Sequence, residues 1–234
     1  MRSLIKNPLL RAVLAAVSLG AVVFVANAAA GTILVYKNDL DTVESRGQIH
    51  QMAPRANCIR GGSPNAFRFK LGTKAKECFY RVPMAGTNMQ VTAVARLFKS
   101  TPIKVLKRSY VGVSLRQDAD GSRYQFVVWP YTRRYGLRKV QPGGQILNLG
   151  SRKAGKKVNG PDKANRLTLR AFTGPKGGAQ VVGWVNGHKV AAVGDKQGNS
   201  LAGHDTSISI GSKYPARGAI GSFADVRVAI PDPY

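Results

Sequence analysis

Acidic side chains are scarce in this sequence. Only 11 of the 234 residues are Asp or Glu, against 36 Lys or Arg, so the formal net charge is +25. Glutamate occurs twice, as Glu44 and Glu77. Glycosidases usually need a matched pair of carboxylates at the scissile bond, so a chain with so few acids is a poor candidate for that chemistry. The excess of positive charge instead favours an anionic partner, such as an acidic glycan, a nucleic acid or an anionic lipid surface.

Cysteine is scarce as well, with Cys58 and Cys78 the two in the chain. A lone pair in an oxidising compartment most simply forms one disulfide, which would close a loop of about 20 residues. Two buried free thiols are the alternative. No second pair of cysteines and no nearby histidine completes a set of zinc ligands.

The apolar run at residues 12–25 follows three cations, Arg2, Lys6 and Arg11, and precedes small residues at 26–30. This pattern is typical of a secretory signal peptide. The run is shorter than the roughly 20 residues that span a bilayer, but it could be extended through Tyr36, which leaves a retained anchor as the alternative. We therefore expect residues 1–30 to be a signal peptide or anchor and 31–234 to form one extracytoplasmic domain, secreted or membrane-anchored. Removal of the three cations lowers the net charge from +25 to +22.

No long segment after residue 30 has apolar residues at helical spacing. Short β-branched and aromatic runs dominate, separated by Gly, Pro, Asn and Asp, which predicts an antiparallel all-β fold. Asp120-Gly121 and Asn186-Gly187 each lie between two such runs and predict hairpins. Residues 150–163 and 195–204 are predicted to be exposed loops.

Several segments of the chain occur in an order that resembles one superfamily. They are Asn38-Asp39-Leu40 near the start, then strands at 124–128, 135–140 and 165–169, the hairpin Val185-Asn186-Gly187 and the closing segment 218–228. This order resembles the concanavalin A-like lectin/glucanase superfamily, particularly its laminin-G-like and keto-disaccharide-hydrolase-like bacterial branches. The resemblance covers roughly residues 32–230 and is clearest from about 108 onward. It implies a two-sheet antiparallel jelly-roll sandwich in which the N- and C-terminal strands pair.

The same resemblance bears on metal binding and catalysis. Many relatives hold a structural calcium near the closing strand, where Asp225 and Asp39 could contribute ligands, although Ala224 stands at a position that is often Asp. Calcium takes six to eight oxygen ligands. We therefore expect no cofactor apart from a structural calcium at these two residues. Glucanases of the superfamily carry Glu-x-Asp-x-x-Glu on one strand, and this motif is absent here, so we assign no catalytic residue.

A stretch at 129–139 interleaves aromatic and basic side chains. The candidate ligand-binding residues are Trp129, Tyr131, Arg133, Arg134, Tyr135, Arg138 and Lys139. Aromatic rings stack on sugars or bases, and guanidinium groups pair with phosphate, sulfate or carboxylate oxygens. The alternative interpretation places Trp129 and Tyr135 in the core, and strand alternation lets only one of Trp129 and Val128 face inward.

Positive charge is concentrated in two regions. Residues 99–139 contain ten basic and two acidic residues, and residues 152–170 contain seven and one. Together with the resemblance, this predicts a non-catalytic secreted or surface β-sandwich that binds an anionic polysaccharide or cell-wall polymer. The alternatives are a structural or protein-interaction module of the cell envelope, with a membrane surface as a further partner, and a carbohydrate-active hydrolase. A protein of this charge would bind DNA in vitro, but no physiological nucleic-acid role is expected after export.

Overall fold

The computed structural model describes residues 32–51, 58–63, 66–72, 76–196, 200–213 and 218–231. The predicted signal peptide or anchor at 1–30 lies outside the described residues. No helix within the described ranges is long and apolar enough to cross a membrane.

Strands make up most of the described chain. They are β1 (Thr32–Asn38), β2 (His50–Gln51), β3 (Cys58–Ser63), β4 (Ala66–Leu71), β5 (Glu77–Ala85), β6 (Met89–Leu97), β7 (Ser109–Gln117), β8 (Arg123–Trp129), β9 (Arg134–Val140), β10 (Ile146–Lys153), β11 (Asn165–Thr173), β12 (Ala179–Val185), β13 (His188–Asp195), β14 (Asp205–Ser212) and β15 (Ile220–Pro231). The described helices are short: α1 (Val43–Gly47), α2 (Ile103–Leu106) and 3₁₀ turns at Pro142–Gly144 and Gly155–Lys157.

The strands form two antiparallel sheets that pack face to face. One has the order β13-β12-β11-β6-β15-β4-β3, with β1 also paired to β15, and the other has the order β10-β9-β8-β7-β14-β5-β2. Strands distant in sequence are neighbours in both sheets, as in a jelly roll. The predicted two-sheet sandwich is confirmed, and so is the pairing of its terminal strands, which runs from Thr32↔Pro231 to Asn38↔Val226.

One hydrophobic core fills the space between the sheets. Alternate residues of a strand point to opposite faces, so β11 buries Leu167, Leu169 and Ala171 while the residues between them are more exposed. Aromatic rings dominate one part of the core, where Phe69 stacks on Tyr80 with ring centroids 4.5 Å apart. This packing accounts for the alternating pattern in the sequence.

The two predicted hairpins are confirmed, with different connections. Asn186 and Gly187 form a two-residue turn in the left-handed region, with φ of 50° and 81°. The Asp120-Gly121 pair instead lies within a five-residue connection between β7 and β8. The loop predicted at 150–163 is wrong at its start, because β10 continues to Lys153. β10 is an edge strand and its last residues are polar, so they lack the alternation of apolar and polar residues by which a strand is predicted from sequence.

Cys58 and Cys78 form the predicted disulfide, with their Cα atoms 5.6 Å apart. Cys58 lies on β3 in one sheet and Cys78 lies on β5 in the other. The disulfide is therefore a covalent link between the two sheets.

Replacement of both cysteines by alanine should lower the free energy of unfolding by about 3 kcal/mol, because the crosslink restricts the unfolded chain. Urea denaturation of the double variant measures this loss. Wild-type protein with a reductant should unfold at the same urea concentration as the variant. An unchanged midpoint in both would show that the disulfide does not stabilise the fold.

Candidate functional site

A groove of about 870 Å³ lies on the seven-stranded sheet, on the face that points away from the other sheet. Tyr110, Arg123 and Arg138 line it, while their strand neighbours Val111 and Tyr124 point into the core. Strand alternation thus gives this sheet one apolar face and one face rich in charged and aromatic side chains.

Two glycines allow aromatic rings to lie flat on the groove. Trp129 covers Gly136, where a Cβ atom would come within 2.9 Å of the indole Cζ3. Tyr110 covers Gly211 in the same way. The rings of Tyr110 and Trp129 meet edge to face, with centroids 5.7 Å apart. The result is an aromatic corner in the groove wall.

The floor of the groove holds a nearly buried ionic cluster around Glu77. Arg123 and Gln125 both donate hydrogen bonds to its carboxylate, and Arg138 Nη2 lies 3.8 Å from Glu77 Oε1. Arg138 Nε donates to Gln125 Oε1 at 2.7 Å, and Gln125 Nε2 donates to Ser209 Oγ at 2.9 Å. The side chains therefore hold one another in place.

Electrostatics decide the protonation states in this cluster. Burial opposes ionisation of Glu77, but Arg123 and Arg138, together with the hydrogen bond from Gln125, outweigh it and hold the pKa of this carboxyl below its usual value. Burial, and then the negative charge of Glu77, raise the pKa of Tyr110 above its usual value. At neutral pH, Glu77 is thus a carboxylate and Tyr110 a neutral phenol.

The cluster leaves polar atoms without partners. Among the described residues, Arg123 Nε, Arg138 Nη2 and Ser212 Oγ are buried and have no hydrogen-bond partner. All three side chains line the groove. These atoms are closed to solvent, and Arg138 Nη2 faces the Glu77 carboxylate, so a ligand would contact the accessible parts of these side chains.

The groove as a whole is electropositive. The cations that line it are Lys76, Lys107, Arg108, Arg123, Arg134, Arg138 and Lys213. The acidic side chains that line it are Glu77 and Asp120. A cleft lined mainly by one sign of charge concentrates ions of the opposite sign.

Three of the seven predicted binding residues, Trp129, Arg134 and Arg138, line this groove. Tyr131 is exposed near its rim, with Lys107 Nζ 5.8 Å from the ring centroid. Arg133 is exposed in the turn before β9, with a left-handed φ of 50°.

The other two predicted residues, Tyr135 and Lys139, do not lie in the groove. They lie on the face of β9 that points into the sandwich, where Tyr135 packs against Phe126 of the neighbouring strand β8 with ring centroids 6.2 Å apart. Lys139 Nζ pairs with Asp195 at 2.8 Å, and Tyr124 donates its hydroxyl to the same carboxylate at 2.5 Å. The structure therefore does not bring these two side chains together with the other predicted binding residues in the groove.

Sequence reasoning missed Glu77, Tyr110, Arg123 and Gln125. Alternation along β8 from Trp129 could have found Gln125 and Arg123, since residues two apart share a face. Glu77 and Tyr110 reach the groove only through the sheet order β7-β14-β5, which no local pattern reveals.

The two carboxylates proposed as calcium ligands form ion pairs. Asp39 pairs with Lys37 at 3.0 Å, and Asp225 accepts from Arg227 at 2.6 Å and pairs with Arg166 at 3.1 Å. Burial of Asp225 acts against ionisation, but the bond from Arg227 and the charges of both arginines hold its pKa below the usual value. The described part of the chain contains no cluster of three or more His, Cys, Asp or Glu side chains. A calcium ion would compete with cationic side chains for both carboxylates.

The strand order of the two sheets defines the class of fold. This chain has the jelly-roll fold of the concanavalin A-like lectins and glucanases, as the resemblance in sequence predicted. No protein-family model and no curated protein matches the sequence.

Several solved structures share this fold at low sequence identity. A protein of unknown function with a galectin-like fold from Bacillus subtilis is 13% identical, with a TM-score of 0.60 over 86% of this chain and 98% of that chain. The carbohydrate binding module CBM66 from Bacillus subtilis is 11% identical, with a TM-score of 0.55 over 76% and 93%. A Bacillus licheniformis beta-glucanase is 9% identical, with a TM-score of 0.52 over 85% and 97%. The set thus includes both a binding module and an enzyme.

Proposed function

We propose that this protein is a non-catalytic extracytoplasmic binding protein and that an anionic polysaccharide or cell-wall polymer lies in the groove. The observation that carries the proposal is the lining of the groove, where seven lysine and arginine side chains accompany only two acidic ones beside an aromatic corner. Guanidinium groups match the oxygens of carboxylate, sulfate or phosphate. The exposed face of Trp129 supplies a surface on which a sugar ring can stack.

The state of Glu77 supports binding over hydrolysis. A general acid for glycoside cleavage needs a raised pKa, so that it is protonated when it meets the leaving group. The pKa of Glu77 is lowered, and its carboxylate serves as counter-ion to two arginines. Asp120, the other acid that lines the groove, accepts a hydrogen bond from the backbone of Ser122 in the β7–β8 connection.

Two further observations support a role outside the cytoplasm. The disulfide joins the sheets in a way that an oxidising compartment permits. The sequence of residues 1–30 has the order of a secretory signal, with cations first, an apolar run next and small residues last.

Removal of the groove's aromatic ring and one of its cations tests the proposal. The variant Trp129→Ala with Arg134→Ala should bind heparin and polygalacturonate at least about tenfold more weakly, a loss of about 1.4 kcal/mol. Isothermal titration calorimetry measures the affinity. Wild-type binding should also weaken as salt rises from about 0.1 M to 0.5 M, because screening shortens the range of the charges.

A matched control separates the groove from overall charge. Trp184→Ala with Lys176→Ala removes a partly exposed tryptophan and an exposed lysine that do not line the groove. An equal loss of affinity in this control would favour a general adhesion module and contradict a groove site. Release of reducing ends or unsaturated products from either polysaccharide would show catalysis instead.

A further inference from the structure

A second, smaller cavity of about 270 Å³ lies at the open edge of the sandwich. Strand β10 forms the edge of one sheet there and β13 forms the edge of the other. The cavity is lined by Tyr135, Arg152, Lys153, Lys157, Lys189 and Val190, and we call it the lateral cavity.

The charge of the lateral cavity has one sign. Arg152, Lys153, Lys157 and Lys189 line it, all four are exposed, and no acidic side chain is part of its lining. In the described part of the chain, none of the four forms an ion pair with a carboxylate. Four like charges around one concavity repel one another, and a bound anion would relieve that repulsion.

The lateral cavity and the groove share a wall, the strand pair β9–β10. On β9, Arg134 lines the groove and the next residue, Tyr135, lines the lateral cavity. On β10, Ser151 faces the groove and Arg152 faces the lateral cavity. The Cα partner of Arg134 across the strands is Lys153. A run of cations therefore passes from one site to the other around the edge of the sheet.

We propose that the lateral cavity is a second anion site, which binds a sulfate, phosphate or carboxylate group of the same polymer chain that occupies the groove. This rests on the proposed function of the groove. A chain that leaves the groove past β10 places its next charged groups beside Lys153 and Arg152. The second contact is intramolecular once the groove is filled, so it strengthens the binding of chains long enough to reach both sites.

The dependence of binding on chain length tests this arrangement. The lateral variant carries Lys153→Gln, Lys157→Gln and Lys189→Gln. The control variant carries Lys70→Gln, Lys163→Gln and Lys176→Gln, which removes three exposed lysines outside both cavities. Calorimetry with a heparin tetrasaccharide and with full-length heparin gives four affinities, and thermal unfolding checks that both variants fold.

The lateral variant should bind full-length heparin about tenfold more weakly than the control variant, as expected for the loss of three exposed ionic contacts. The tetrasaccharide should bind both variants equally, because it is held in the groove alone. Equal affinity of both variants for full-length heparin, or an equal loss with both probes in the lateral variant, would overturn the inference.

The failure of this inference differs from the failure of the proposed function. The groove variant is Trp129→Ala with Arg134→Ala. If it loses affinity for heparin and the lateral variant does not, the groove remains the binding site and the second site is rejected. If only the lateral variant loses affinity, the groove proposal is rejected, and the idea of one chain on both sites is rejected with it.

Discussion

Replacement of Glu77 by glutamine is expected to lower the free energy of unfolding by about 3 to 5 kcal/mol, the cost of leaving buried charges without a counter-ion. The substitution keeps the shape of the side chain, so the loss reports on charge. Arg123 and Arg138 would both lose the carboxylate with which they pair. This carboxylate is nearly buried, because the side chain of Glu77 is only 13% exposed. Urea denaturation at pH 7 measures the difference.

The matched control is Glu44→Gln, which changes the other glutamate of the chain. Glu44 is exposed in the first turn of α1, and surface changes of this kind usually cost under about 0.5 kcal/mol. Equal stability of the Glu77 and Glu44 variants would contradict the role of Glu77 as the counter-ion of the groove floor.

The pH dependence of stability gives a second readout of the same group. The folded-state pKa of Glu77 lies below its unfolded value, which is about 4.3. Its contribution is therefore fully present above that value and is lost as pH falls through the lower folded-state pKa. The difference in stability between wild type and Glu77→Gln should be constant near neutral pH and should shrink at acidic pH. A constant difference down to pH values well below the unfolded pKa would show that Glu77 is not the titrating group.

Replacement of Lys139 by methionine is expected to reduce stability by about 3 kcal/mol, because Asp195 would keep a nearly buried charge without its cation. Binding of heparin by the folded protein should stay unchanged, although the variant has lost one positive charge. The opposite result is expected for Arg134→Ala, which removes an exposed groove cation and should leave stability unchanged. Urea denaturation measures the stability of the two variants and calorimetry measures their affinity for heparin. Together they distinguish a side chain that stabilises the fold from one that binds the ligand.

Addition of Asp195→Asn to Lys139→Met tests the cause of that loss. Neutral partners in place of a buried ion pair are often tolerated, so the double variant should recover much of the stability. An asparagine can still accept the hydrogen bond from Tyr124. A double variant as unstable as Lys139→Met alone would show that packing, and not the unpaired carboxylate, causes the loss.

These residues also show what could be predicted from the sequence. Hairpins and the disulfide were predictable because they depend on neighbours or on a single pair of cysteines. Strand alternation places Arg134 and Lys139, five residues apart, on opposite faces of β9, but without the phase it does not say which face points outward. The partnership of Glu77 with Arg123 depends on strands that lie far apart in sequence. Such pairings are decided by the topology of the whole sandwich.

The contact between Trp129 and Gly136 couples the side chains that can be accommodated at these two positions. A Cβ atom at 136 would come within 2.9 Å of the indole Cζ3, so a side chain there would either shift the indole or require a smaller residue at 129. Replacement of the tryptophan by a small residue would open the space over Gly136 and remove one ring of the aromatic corner. A residue larger than glycine at 136 would therefore displace the ring that we propose as the sugar-stacking surface.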